Sequence, residues 1–147
     1  MADPRQKSKR RSSSKKPKLF RGFTLYLCHN LDYDDLAHVL EQNGIRFKRH
    51  REFFDGWALD TQLLPLVGKH RWILITFDQK QRTRLLEKQL IHKYKIREFV
   101  FTSGQIGDVG QLLVAARAQM RNLCSRNEGP FVASISRNAK VALKNID

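Results

Sequence analysis

The sequence is short of cysteine, acids and long apolar runs, and each shortage excludes something. Its two cysteines, Cys28 and Cys124, lie far apart and form no Cys-x-x-Cys, which argues against a disulfide framework and a zinc ribbon. The five histidines (29, 38, 50, 70 and 92) show no His-Glu-x-x-His or paired metal spacing, so a zinc hydrolase is not expected. There is no Gly-x-Ser-x-Gly elbow and no phosphate-binding P-loop. No stretch approaches the ~20 apolar residues of a membrane span, and the N-terminus has no apolar signal core. A soluble, reducing, cytoplasmic setting without a membrane partner is the expectation. Acids number 14 against 28 Lys and Arg, a net charge of +14 on 147 residues. That imbalance calls for an anionic partner, with nucleic acid first. A hydrophobic content of 41% still allows a packed core in one domain.

The charge is unevenly placed. Residues 1–21 hold nine Lys or Arg and one acid, Asp3, with Ser12 to Ser14, two prolines and almost nothing apolar before Leu19. Such a segment cannot offset its ordering entropy by burial, so it is expected to be a disordered basic tail. It suits an electrostatic arm for RNA or DNA phosphates, or a solubilising extension, and neither reads sequence. Residues 22–147 are expected to form the folded domain.

Within that domain the pattern alternates. Phe23–Cys28 reads as a strand, then Asp32 and Asp34 offer caps for a helix with Leu36, Val39 and Leu40 on one face, ended by Asn43-Gly44. Ile45–His50 alternates apolar and basic, as an edge strand does, and residues 51–59 form a loop with exposed aromatics. Asp60 opens a short apolar segment in which Pro65 is expected to prevent a long regular helix. Trp72–Phe77 is continuous and apolar, the mark of a strand covered on both faces. Helices are expected at about 79–92, with Leu86, Leu90 and Ile91 inward, and at about 108–124. Between them lies a strand at Arg97–Phe101, and a hairpin of 131–136 and 140–143 closes the chain. Strand and helix alternate until that hairpin, with no internal repeat, which predicts an α/β fold with a mainly parallel sheet.

In an open α/β sheet the working site lies beyond the carboxyl ends of the strands. Asp78, following the central strand, and Asp60 are the acids that rule selects. Converging carboxylates there suit Mg²⁺ or Mn²⁺, which take hard oxygen ligands and leave room for a phosphate. Each has a plain competing role. Asp78-Gln79-Lys80-Gln81 matches a capping box, and Asp60 is a natural helix cap. One carboxylate can serve both purposes. Glu87 reads on its own as a solvated helix acid, Arg82 and Arg84 as a solvated basic face. Gly104-Gln105-Ile106-Gly107 spells the Gly-x-x-Gly of KH domains but follows a strand instead of joining two helices.

Several blocks together carry a family resemblance. They are Cys28-His29-Asn30-Leu31 after the first strand, Asn43-Gly44 before the second, and Asp60 about a dozen residues ahead of Trp72. The sharpest is Trp72-Ile73-Leu74-Ile75-Thr76-Phe77-Asp78, followed by Arg82, Arg84 and Glu87, and Pro130-Phe131 opens the late strand. From Phe23 to about Leu143 the chain resembles the PIN-like domains of the VapC type, ribonuclease toxins of toxin–antitoxin pairs. The resemblance implies a three-layer α/β/α domain around a mainly parallel sheet and a metal-dependent endoribonuclease acting on RNA phosphodiesters. It implies Asp60 and Asp78 as metal-binding catalytic acids with Mg²⁺ or Mn²⁺, and Glu87 as an outer acid. Asn30, Thr76, Arg82 and Arg84 would meet the RNA. It also implies an antitoxin protein and a homodimer as partners. One departure stands out: the family places an aspartate at the end of strand one, where this chain has Cys28. Asp32, Asp34 or Asp35 could replace that acid from the next turn. Otherwise the domain is a weakened or inactive RNA-binding module.

Overall fold

The structure, a computed structural model, describes residues 23–78, 84–103 and 106–147. The basic tail and Arg82 lie outside the described residues. Six strands form one sheet in the order β2-β1-β3-β4-β5-β6: β1 Leu25–Leu27, β2 Phe47–Arg49, β3 Ile73–Thr76, β4 Arg97–Phe101, β5 Phe131–Ile135 and β6 Val141–Lys144. All neighbours are parallel except the terminal β5–β6 hairpin. Four α-helices join them: α1 Asp34–Gln42, α2 Asp60–His70, α3 Leu85–Lys93 and α4 Val109–Arg126.

Side-chain alternation along the strands sends two apolar sets to opposite faces. One face carries Leu25, Leu27, Ile73, Ile75, Phe99, Phe101, Phe131 and Ala133, packed against Leu36 and Leu40 of α1 and Leu113, Ala116 and Met120 of α4. The other carries Tyr26, Leu74, Val100 and Val132 under Leu63, Leu64 and Val67 of α2 and Ile91 of α3. The result is a three-layer α/β/α domain of the expected class. Because β3 and β4 are covered on both sides, they are buried along their whole length; β3 accordingly reads as a nearly continuous apolar run, while β4 buries Arg97 and Glu98 as well. The edge strand β2 is half-buried throughout and carries Lys48 and Arg49, charges that protect an unpaired edge.

Three local expectations need correcting. Helix α2 runs straight through Pro65. Proline removes one amide donor, and the carbonyl it would have met belongs to exposed Thr61, where water can satisfy it. Close packing rather than regularity is the constraint on α2. A Cβ on Gly68 would lie 2.7 Å from the Tyr94 Cβ and 2.8 Å from its carbonyl oxygen. Leu86 is exposed instead of inward, because the described part of α3 begins at Leu85 and turns Ile91 to the core. Asp32 and Asp34 do not cap α1, whose first flanking residue is Tyr33 and has no side-chain cap.

Candidate active site

The chain leaves β1 through α1 to β2 on one side, then returns through α2 to β3 on the other. The carboxyl ends of β1 and β3 therefore flank a topological switch point, where α/β sheets open a crevice. A cavity of about 210 Å³ sits there, lined by Cys28, His29, Asn30, His50, Trp57, Ala58, Asp60, Leu63, Thr76 and Asp78. Asn30, Asp60 and the pair Thr76 and Asp78 are thus brought to one place from three separate parts of the sequence. Glu87, in the first turn of α3, and Arg84 just before it are not among the lining residues.

Each lining group has a local reason for its place. After Leu27 the chain turns sharply, with the Leu31 amide donating to the Cys28 carbonyl at 2.8 Å. Leu31 is buried, and this anchors the turn while Asn30 stays exposed beside the cavity. Thr76, the last residue of β3, is buried on the same face as Leu74. Its hydroxyl accepts from the Asp78 amide at 3.0 Å, and the Cys28 amide donates to the Ile75 carbonyl at 3.4 Å, which links the ends of β1 and β3. Asp60 is the first residue of α2, not its cap. The Gln62 side chain accepts from the Leu59 amide at 3.1 Å and closes that helix end. The Asp60 carboxylate therefore sits at a positive helix terminus that stabilises its charge.

Asp78 does not lie open. Arg84 donates to both its oxygens, from Nη1 to Oδ2 at 2.8 Å and from Nη2 to Oδ1 at 3.2 Å. The capping role suggested by the Asp78–Gln81 pattern lies outside the described residues. The Arg84–Asp78 pair is half-exposed, so it is weakly held and exchangeable.

Cys28 is decisive for the electrostatics. Burial pushes its thiol far up, and the charges of Glu98, Asp60 and Asp78 add to this, while the Thr76 hydrogen bond opposes them. Without a metal the thiol stays protonated at neutral pH, so it is a poor nucleophile, and a thiol is in any case a soft ligand ill suited to Mg²⁺. The proposed replacements for the missing acid do not reach it. Asp32 receives Arg49 Nε at 2.6 Å and the Arg51 amide at 2.7 Å, and Asp34 receives Arg49 Nη2 at 2.8 Å. Both acids tie β2 to the β1–α1 turn, and neither they nor Asp35 line the cavity. A wider groove of about 870 Å³ runs between α1 and β2 past Asp34 and Arg49, but it lies at the sheet edge, and there Asp34 is paired with Arg49.

Among the described residues no three His, Cys, Asp or Glu side chains form a metal cluster. Two carboxylates do share the cavity, and Mg²⁺ is commonly held by one or two carboxylates completed by water and substrate phosphate. The donor set fits a hard divalent ion in that manner.

Two residues escaped the sequence reading. His50 is buried under the loop beside the cavity, with Nδ1 2.8 Å from the Tyr26 hydroxyl and Nε2 2.6 Å from the Gly56 carbonyl oxygen. Glu98 is fully buried in the middle of β4, on the face of α2 and α3. An acid in the otherwise apolar run Glu-Phe-Val-Phe was its signal, since a buried carboxylate is costly unless it has a polar purpose.

Comparison with known proteins agrees with this geometry. A family model described as a PIN-like domain matches residues 28–103, just over half of the chain, beginning at Cys28 and including every lining residue. No curated protein and no solved structure matches the chain.

Proposed function

The chain belongs to the family of PIN-like domains, and from that premise we propose that it is a metal-dependent endoribonuclease of the VapC toxin kind. The observation that carries this reading is the meeting of Asp60, Asp78, Asn30 and Thr76 in one cavity at the β1/β3 switch point. Asp60 and Asp78 would hold Mg²⁺ or Mn²⁺, whose chemistry when bound is to polarise a phosphodiester and lower the pKa of an attacking water. The protein's part is positioning. Thr76 holds the Asp78 backbone at the end of β3, the positive end of α2 suits a carboxylate at Asp60, and Asn30 offers an amide to a phosphate or ribose oxygen. Arg84 is placed to exchange its carboxylate partner for an RNA phosphate, a bidentate match of the same geometry. Arg82 belongs to the same basic segment, and Glu87 stands behind it as an outer acid whose charge reaches Arg84. A neutralising antitoxin, a homodimer and a cytoplasmic site of action complete the toxin reading and rest on the resemblance. No helix among the described residues is long and apolar enough to cross a membrane.

The test is RNA cleavage by purified protein with Mg²⁺ or Mn²⁺. Asp78→Asn is expected to reduce the rate by more than about 100-fold, beyond the usual cost of losing an outer-sphere partner. Intact RNA after prolonged incubation of the wild type with either metal would sink the reading.

One observation favours a second reading. With a protonated thiol where the family has an aspartate, the cavity lacks one negative charge, which weakens metal binding. The domain would then bind RNA without cutting it, with steep salt dependence and no change in Asp78→Asn. Cleavage that emerges only in Cys28→Asp would establish it.

A further inference from the structure

Trp57 is 73% exposed, the most open large aromatic among the described residues, yet it lines the acidic cavity. Its backbone is not loose. The residue before it, Gly56, takes φ +89, and its carbonyl accepts from buried His50. Only a protonated Nε2 can donate to a carbonyl, so in the neutral ring Nδ1 accepts from the Tyr26 hydroxyl. Tyr26 is itself fully buried, and Phe54 stacks on the His50 ring at 5.1 Å between centroids. The residue after Trp57, Ala58, is buried in the domain. A chain of two hydrogen bonds and a packed ring therefore hold the loop while the indole faces solvent.

The cavity itself is small. Its roughly 210 Å³ falls below the ~300 Å³ at which sites for whole small molecules begin. It accommodates a phosphate and part of a ribose, so the attached base must lie at the rim, where the indole is. Indole faces stack bases of any sequence, and a pre-held aromatic gives up little entropy in doing so. We propose that Trp57 is a positioning residue that stacks the base of the nucleotide whose phosphate enters the cavity, with His50 as the brace that presents it. This rests on the reading of the crevice as an RNA site. Stacking adds a grip on the base itself, which the basic charge, meeting only phosphates, cannot supply.

The experiment uses the full chain in EDTA, so that binding is read without cleavage. A Trp72→Phe background leaves Trp57 as the sole tryptophan. Titration with single-stranded oligoadenylate is expected to quench its fluorescence, and inorganic polyphosphate of equal charge is not. Trp57→Ala should weaken oligoadenylate binding roughly 10- to 100-fold with the same salt slope, and Trp57→Phe should restore most of it. Equal affinity in Trp57→Ala, or equal quenching by polyphosphate, would overturn the proposal. Adding Mn²⁺ separates it from the cleavage reading. Intact RNA together with a Trp57→Ala binding defect sinks cleavage and keeps the stack. Cleavage with KM unchanged in Trp57→Ala sinks the stack and keeps cleavage.

Discussion

Cys28 and Arg84 set how much negative charge the crevice offers. The thiol, held protonated by burial and by neighbouring carboxylates, adds none, and Arg84 neutralises part of what Asp78 supplies. Restoring an acid with Cys28→Asp is expected to tighten Mn²⁺ binding about 10-fold or more, by analogy with the cost of perturbing a metal site, and calorimetric titration reads it directly. The penalty is stability, since the new carboxylate joins Asp60, Asp78 and Glu98 without metal, and the apo variant should melt at a lower temperature. Arg84→Ala separates the two effects differently. A half-exposed pair contributes at most about 1 kcal/mol, so unfolding in denaturant should barely change. Divalent binding should strengthen and RNA binding weaken, because the same guanidinium serves both. Asp60 and Asp78 were legible because acids at strand-to-helix turns are conspicuous in a basic chain. His50 was not, since its importance lies in bonds to Tyr26 and Gly56, 24 positions back and 6 ahead, which no local pattern announces.

At the scale of elements, the β1–α1 turn is fastened to the β2 edge by Asp32. Its side chain is 5% exposed against Arg49. Burial alone would raise its carboxyl, but hydrogen bonds from Arg49 and Arg51 outweigh this and hold it below the usual range. A depressed folded-state pKa stabilises above the ordinary carboxylate value of about 3.9 and loses that contribution as pH falls through the lower value. Asp32→Asn should therefore cost about 2 kcal/mol near neutrality, the scale of a charged hydrogen bond, and flatten the loss of stability toward pH 3. Urea unfolding at several pH values checks both. The strand positions were readable within a residue or two, and β4 at Arg97–Phe101 agrees at both ends, because short runs rich in aromatic and β-branched residues mark strands even where, as in β4, two charged residues open the run. The helices were less so. Pro65 obscured α2, since whether a lost amide bond matters depends on the solvent exposure of its carbonyl partner, which only the packed structure decides.

For the whole molecule, charge and chemistry divide the sequence between them. Residues 1–21 carry nine of the 28 basic groups, while the crevice brings together two acids, Asp60 and Asp78. A chain that holds RNA through both should show strongly salt-dependent affinity. Removal of residues 1–21 is expected to reduce the slope of log K against log salt by about 3 if roughly half of those cations meet phosphates, at ~0.7 per single-strand contact. Binding at several salt concentrations measures it, and an unchanged slope would assign the tail no role in RNA contact.

The sequence by itself determined the alternation of strand and helix, the doubly buried centre of the sheet, the excess of positive charge and the two acids worth attention. These follow from local periodicity and composition, which survive without knowledge of contacts. Only the tertiary structure decided that Asp60 and Asp78 face one cavity, that Asp32 and Asp34 are spent on Arg49 and Arg51, and that Trp57 stands braced at the rim. Those outcomes depend on the β2-β1-β3 strand order and on side chains meeting across tens of residues, and a crevice at a switch point exists only once strands from distant segments lie side by side.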